Sequence, residues 1–294
     1  MKKRIAALVL LLPMSASLKA ASPSDVVLGP AEGRLQLSQV SALLAGRFDN
    51  EPQRYYLEGM KRGNTAPARL HIEILRSEND PLSFELREHY GSEHDPVALS
   101  GALTLELDSV TRHVVMRLVA DKSRCEWKWK WRNSVWIARP TGPCTTKNTG
   151  DLGVSGKTWW LGDQELWLET PDQPVMVELG RAHQHECYIA LQLRAGKPQI
   201  FTGLRIHDRG GTLDVMTDEV PARKLTLILR RGMWPSNSGN NLIELLSLYV
   251  REEGNPTVLG SGWATPDSPR VGFGTEEEGI PERKTINSRC KRMD

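Results

Sequence analysis

Three groups of residues in this chain have the types and spacing to do chemistry. In Cys125-Glu126-Trp127-Lys128-Trp129-Lys130-Trp131-Arg132 a sulfur-and-indole series alternates with a charged one. Side chains of a strand alternate faces, so Cys125, Trp127, Trp129 and Trp131 share one side and the charged residues the other. Such an indole face either fills a core or holds something flat. Because rings and cations fall on opposite faces, they cannot serve one strand of nucleic acid together. The second group is His183, His185 and Cys187, which alternate and can ligate zinc or copper, with His207 as a fourth donor. A disulfide is the competing use of Cys187. The third is His207-Asp208-Arg209-Gly210-Gly211, whose glycines suit a tight hairpin turn. Neighbours on a strand point opposite ways, so His207 and Asp208 are not expected to pair with each other. No Gly-x-Ser-x-Gly, Walker loop or His-Glu-x-x-His occurs, which removes the main motif support for hydrolase and nucleotide chemistry.

The elements that must position these groups are short strands. Apolar alternation runs through 70–76, 82–90, 102–107, 112–119, 125–131 and 135–138, then 158–160, 165–168 and 175–179, with turn residues such as Asn79-Asp80-Pro81 and Asp95-Pro96 between. Asn133-Ser134 reads as the turn of a hairpin carrying the tryptophans. An antiparallel meander of this many strands most easily removes its edges by closing into a barrel. The pattern continues at 186–193, 200–207, 212–216 and 224–230, with 247–252 and 256–260 as a hairpin. Residues 242–249 fit a helical stripe as well as a strand, and both readings stay open. Ahead of the strands, 21–34 reads as an extended lead-in. Ser38 then caps a turn bearing Val40, Leu43 and Leu44, and Asn50 caps a second with Pro52, Tyr55, Tyr56 and Met60. These helices read as a plug or lid.

Residues 1–20 have the form of a targeting segment, with Lys2-Lys3-Arg4, an apolar run and the small-residue exit Leu18-Lys19-Ala20. No cysteine near Ala21 offers a lipid anchor, and no later run is long and apolar enough for a membrane helix. The expectation is an exported protein, periplasmic or secreted, with no transmembrane segment. Removing Lys2, Lys3, Arg4 and Lys19 from the 38 basic residues leaves 34 against 36 acidic ones, so the formal charge moves from +2 to −2. A nearly neutral chain has no overall field for nucleic acid or anionic membrane. Four cysteines allow three pairings if all are oxidised. Cys125 and Cys144 flank the tryptophan hairpin and close a short loop, which makes them the natural first pair and leaves Cys187 for Cys290. Free buried thiols are the alternative.

The stretch Leu44-Ala45-Gly46-Arg47-Phe48-Asp49-Asn50-Glu51-Pro52-Gln53 resembles the Gly-x-Phe-x-Asn-x-x-Gln signature of the CpcT/CpeT family of phycobiliprotein chromophore lyases. A pair of strands carrying Cys125 and Cys144 with aromatic residues between adds to the likeness, which covers residues 35–170. The resemblance implies a mainly β fold: a calycin-like antiparallel β-barrel over 21–180, with short N-terminal helices near one mouth. A β-rich C-terminal extension would occupy 181–274 and a polar tail 275–294. It also implies attachment of a bilin to a cysteine of a partner protein. In such a lyase Glu88 would donate a proton to the tetrapyrrole, and Asn50 and Gln53 would orient it. Trp127, Trp129 and Trp131 would wall it, and Arg112 would meet a propionate. The contrasting reading is a non-catalytic envelope protein that binds a small amphipathic ligand or another protein, with the indoles as core.

Overall fold

The computed structural model describes residues 27–60, 66–120, 123–146, 153–170, 175–191, 198–236, 241–274 and 286–293; residues 1–20, expected to be a targeting segment, lie outside them. The first eleven strands are β1 (Gly46–Asp49), β2 (Leu70–Arg76), β3 (Ser83–Tyr90), β4 (Val97–Leu107), β5 (Val114–Ala120), β6 (Ser123–Arg132), β7 (Val135–Pro140), β8 (Thr145–Thr146), β9 (Thr158–Leu161), β10 (Glu165–Glu169) and β11 (Val177–Ala182). All pair antiparallel in the order β5-β4-β3-β2-β1-β11-β10-β9-β7-β6, and β5 pairs β6 to close the ring. This is a ten-stranded barrel with β8 added beside β6. Closure removes the open edges that a meander would otherwise present.

Alternation decides what enters the barrel. Phe48, Ile72, Leu86, Leu103, Met116, Leu118, Trp127, Trp129 and Trp159 are among its buried core. The tryptophan hairpin turns through Asn133 and Ser134, both at positive φ (51° and 66°), as a two-residue turn matched to strand twist requires. Helix α1 (Pro30–Leu44) packs on β4 and β5 and sends Val40 and Leu44 into the barrel core. It begins eight residues before the Ser38 cap read from sequence, with Pro30 in its first turn. Residues 30–34 are therefore helical where an extended lead-in was expected. Its last turn has no basic residue of its own, and its carbonyls are met from the strands. Arg76 donates to the Ser41 carbonyl at 2.6 Å, and Arg181 donates to those of Ala45 (2.7 Å) and Leu43. Helix α2 (Glu51–Gly59) follows β1 directly. Asn50 occupies its N-cap position without a side-chain cap bond; Asp49 Oδ1 accepts the Glu51 N–H at 2.7 Å instead.

The remaining strands are β12 (Gln184–Leu191), β13 (Gln199–His207), β14 (Arg209–Met216), β15 (Lys224–Pro235), β16 (Leu242–Glu252), β17 (Val258–Ala264), β18 (Arg270–Gly274) and β19 (Ile286–Arg292). They make two four-stranded sheets, β13-β12-β19-β18 and β14-β15-β16-β17. The sheets share one core of residues such as Ile189, Ile206, Leu227, Leu229, Leu248 and Val271. The open segment 242–249 is strand. Residues 286–292, within the expected polar tail, are a central strand with Ile286, Ser288 and Cys290 buried. Cys187 and Cys290 face each other across β12 and β19 and form a disulfide, and Cys125 joins Cys144. His207 and Arg209 end and begin strands of different sheets. The expected hairpin turn at 207–211 is thus a corner that passes the chain from one sheet to the other. Among the described residues no helix is long and apolar enough to cross a membrane.

Candidate functional site

Within the barrel, Trp127 and Trp129 are wholly covered by neighbouring atoms. Trp127 Nε1 donates to the Lys157 carbonyl at 2.8 Å, and Trp159 Nε1 to that of Val154 at 3.2 Å. Trp131 is different: it is 55 % exposed and packs on Trp136 with ring centroids 5.2 Å apart. Glu88 shares the inward face of β3 with Phe84 and Leu86 and is fully buried. Its Oε1 accepts the Val154 N–H at 3.0 Å, and a Cβ at Gly153 would stand 2.9 Å from its Oε2. Burial pushes the Glu88 carboxyl up to about 7, against the opposing pull of the Val154 N–H and the Lys157 charge.

The barrel's outer face carries a second buried set that sequence reasoning missed. Asp49, His71 and His89 lie opposite one another across β1, β2 and β3. Outward positions of a barrel are normally wet, yet all three are buried, because the His207–Arg209 corner and the loop after β3 lie over them. Asp49 Oδ2 accepts from His71 Nδ1 (3.1 Å) and Arg69 Nη2 (3.1 Å), and Oδ1 accepts from Arg69 Nε (3.3 Å) and the Glu51 N–H. His207 stacks on His71 with centroids 4.9 Å apart and brings Nε2 to 3.6 Å from Asp49 Oδ2. Burial alone would raise the Asp49 carboxyl, but the His71 bond and the Arg69 charge outweigh it and hold it low. Burial is also the main reason that His207 is lowered to about 4.

Donor atoms of Asp49, His71 and His207 lie within 4.8 Å of one another, close enough for a metal. Their hydrogen bonds argue against one. The Arg209 N–H donates to His207 Nδ1 at 3.2 Å, so the single proton of the neutral ring belongs on Nε2, facing Asp49. The Asp49 oxygens already accept four bonds, two of them from Arg69. An ion would need Arg69 displaced and the His207 proton moved. The trio therefore satisfies itself as a hydrogen-bonded node between barrel and corner.

The metal set read from the sequence does not converge either. The Cys187 sulfur is in a disulfide, His185 Nδ1 lies 3.0 Å from the His183 carbonyl, and His207 belongs to the Asp49 node. His183 instead pairs with Asp208. As alternation predicts, His207 and Asp208 diverge, one toward Asp49 and the other toward His183.

The other predicted ligand residues are dispersed. The Asn50 side chain bonds the backbone of Leu70 (2.8 Å) and Ala68 (3.0 Å). Gln53 donates to the Met176 carbonyl at 2.8 Å and accepts the Glu178 N–H at 3.1 Å, standing in for a strand beside β11 beyond the end of β1. Arg112 lies in the β4–β5 turn at φ 58°, against Gly33 of α1. None of these three is gathered around the buried indoles. No family model, curated protein or solved structure matches this chain.

A cleft of about 750 Å³ opens between the barrel and the β14–β16 strands, with Tyr56, Trp167, Glu165, Glu178, Arg209 and Arg231 in its walls and Gln53 at its edge. Trp167 lies directly across from Glu178 in the β10–β11 ladder. Partial burial, with the neighbouring Glu165 charge, raises the Glu178 carboxyl. Arg209 reaches over β11 at Gly180, where a Cβ would stand 2.7 Å from its guanidinium carbon. A side chain at position 180 would have to displace that guanidinium.

Proposed function

We propose that this chain is a non-catalytic binding protein of the exported compartment, whose small amphipathic ligand lies in the cleft between the barrel and the second pair of sheets. The observation that carries this reading is the composition of the cleft. A flat amphipathic molecule needs aromatic walls, carboxylates for its nitrogens and cations for its acid groups. Tyr56 and Trp167, Glu165 and Glu178, and Arg209, beside an Arg231 already paired with Glu244 at 2.8 Å, supply all three around one space. Two disulfides support an oxidising compartment. In this reading the barrel is calycin-like and the later sheets are its C-terminal extension.

The test is an absorption titration with a linear tetrapyrrole, comparing Trp167→Ala and Tyr56→Ala with Trp129→Phe. Loss of one aromatic wall should weaken binding about tenfold, while Trp129→Phe leaves it unchanged. The opposite order would place the ligand in the barrel, and the absence of any saturable band would remove the flat-ligand reading.

Chromophore-lyase-like activity is a second reading, favoured by one observation. A buried carboxyl lifted to about 7 is still a proton donor near neutral pH. All four cysteines are in disulfides, so the acceptor thiol would come from a partner. Undiminished bilin transfer by Glu88→Gln would end this reading.

A further inference from the structure

Strand alternation gives the β13-β12-β19-β18 sheet two unlike faces. Cys187, Ile189, Val271 and Cys290 are buried in the core shared with the other sheet, so the residues between them in β12, β18 and β19 face outward. The register sets these outward residues side by side. Arg270 lies across from Lys291, Lys291 from Glu186, and Glu186 from Arg205 of β13. In the next outward row Gly272 lies across from Arg289, and Arg289 from Tyr188. The two rows carry four cations and a single carboxylate, on a chain whose 38 basic and 36 acidic residues nearly balance.

Glu186 stands between Arg205 and Lys291. Arg270 and Arg289 have no carboxylate beside them in the register, and neither forms an ion pair with the described residues. Both line a groove of about 510 Å³, together with Tyr188, Asn287, Gly272 and Gly274. A Cβ on Gly272 would stand 3.1 Å from the Arg289 Cβ, and one on Gly274 would collide with Asn287 Oδ1. Neither glycine is at positive φ, so what glycine provides in this strand is room for close approach to the backbone.

We propose that this groove binds an acidic sugar chain. Carboxylates of the chain would meet the planar forks of Arg270 and Arg289. The Asn287 amide would exchange hydrogen bonds with ring hydroxyls, and a sugar ring would lie on the bare backbone of β18 beside Tyr188. The spread of charge favours a chain over a single anion, because Arg270 and Arg205 are three strand spacings apart, about 14 Å. Only one aromatic ring belongs to the two rows, whereas single-stranded nucleic acid calls for successive stacking rings along a basic groove.

Calorimetric titration of the full chain at fixed pH and ionic strength tests this with four probes. Oligogalacturonate is compared with its methyl ester, which keeps the rings and loses the charge, and with acetate, which keeps the charge and loses the rings. A thymidine oligonucleotide is the fourth. Saturable binding of oligogalacturonate is expected, at least about tenfold tighter than that of the ester, with none for acetate. Arg270→Ala and Arg289→Ala should each weaken it about tenfold, as expected for a lost charge-assisted bond. Lys130→Ala, which removes an exposed cation from the barrel, should leave it unchanged. Arg270 and Arg289 are exposed, so their variants keep the fold, which an unchanged melting temperature verifies. Absence of saturable binding, equal affinity for the ester, saturable binding of acetate, tighter binding of the oligonucleotide, or a loss in Lys130→Ala as large as in the arginine variants overturns the assignment.

Discussion

Glu88 became a candidate through the family resemblance alone. What lifts its carboxyl to about 7 is complete enclosure, which the sequence does not reveal. The shift has a consequence for stability. An unfolded carboxyl titrates near 4.5, so below that value both states hold the proton and the contribution is fully present. Between 4.5 and about 7 the unfolded chain releases a proton that the folded chain keeps, and stability falls as pH rises through the folded value. The loss is on the order of 3 kcal/mol. Glu88→Gln should flatten this decline, so that its stability advantage over the parent chain in urea melts grows from pH 4.5 to 8. An identical decline in both proteins would refute the shift. His71 and His89 were missed for a related reason. A histidine on the polar face of a strand looks solvated until another part of the chain covers it.

At the scale of elements, local pattern identified most strands and misjudged their ends. Gly29-Pro30 and Gly33 looked like an extended lead-in. In the fold, Pro30 occupies the first turn of α1, where its missing N–H costs nothing. Gly33 is required because a Cβ there would stand 2.9 Å from the Arg112 carbonyl. Gln53 is the reverse case: it was read as a ligand-orienting amide, and its side chain is spent on the β11 backbone. Gln53→Ala should cost about 1–2 kcal/mol for two partly exposed bonds and speed hydrogen exchange at the Glu178 amide. Unchanged exchange at that amide would mean that the side chain is not a substitute strand.

For the whole molecule, the joint between barrel and second pair of sheets is polar. Arg69 donates to the Gly210 carbonyl at 3.0 Å, Arg230 pairs with Glu51 and stacks on Tyr55, and Gln184 holds Glu93. The cleft proposed for the amphipathic ligand opens along this joint, where groups from distant stretches of chain meet. Within the second pair of sheets, Cys187–Cys290 staples the neighbouring strands β12 and β19 across a sequence separation of 103 residues. Replacing both cysteines with serine should cost about 2–5 kcal/mol, as removal of a long-loop disulfide does. It should lower the melting temperature of the non-reduced protein, and a melt no different from that of the parent would contradict it. The sequence by itself determined the β character, the tryptophan hairpin and its turn, and the preferred cysteine pairs, because these follow from alternation, turn chemistry and spacing along the chain. Only the tertiary structure decided that the indoles are enclosed, that His207 belongs to Asp49 and Asp208 to His183, and that aromatic and charged groups converge in clefts. Those facts depend on which surfaces cover one another, and burial is a property of neighbours far away in the chain.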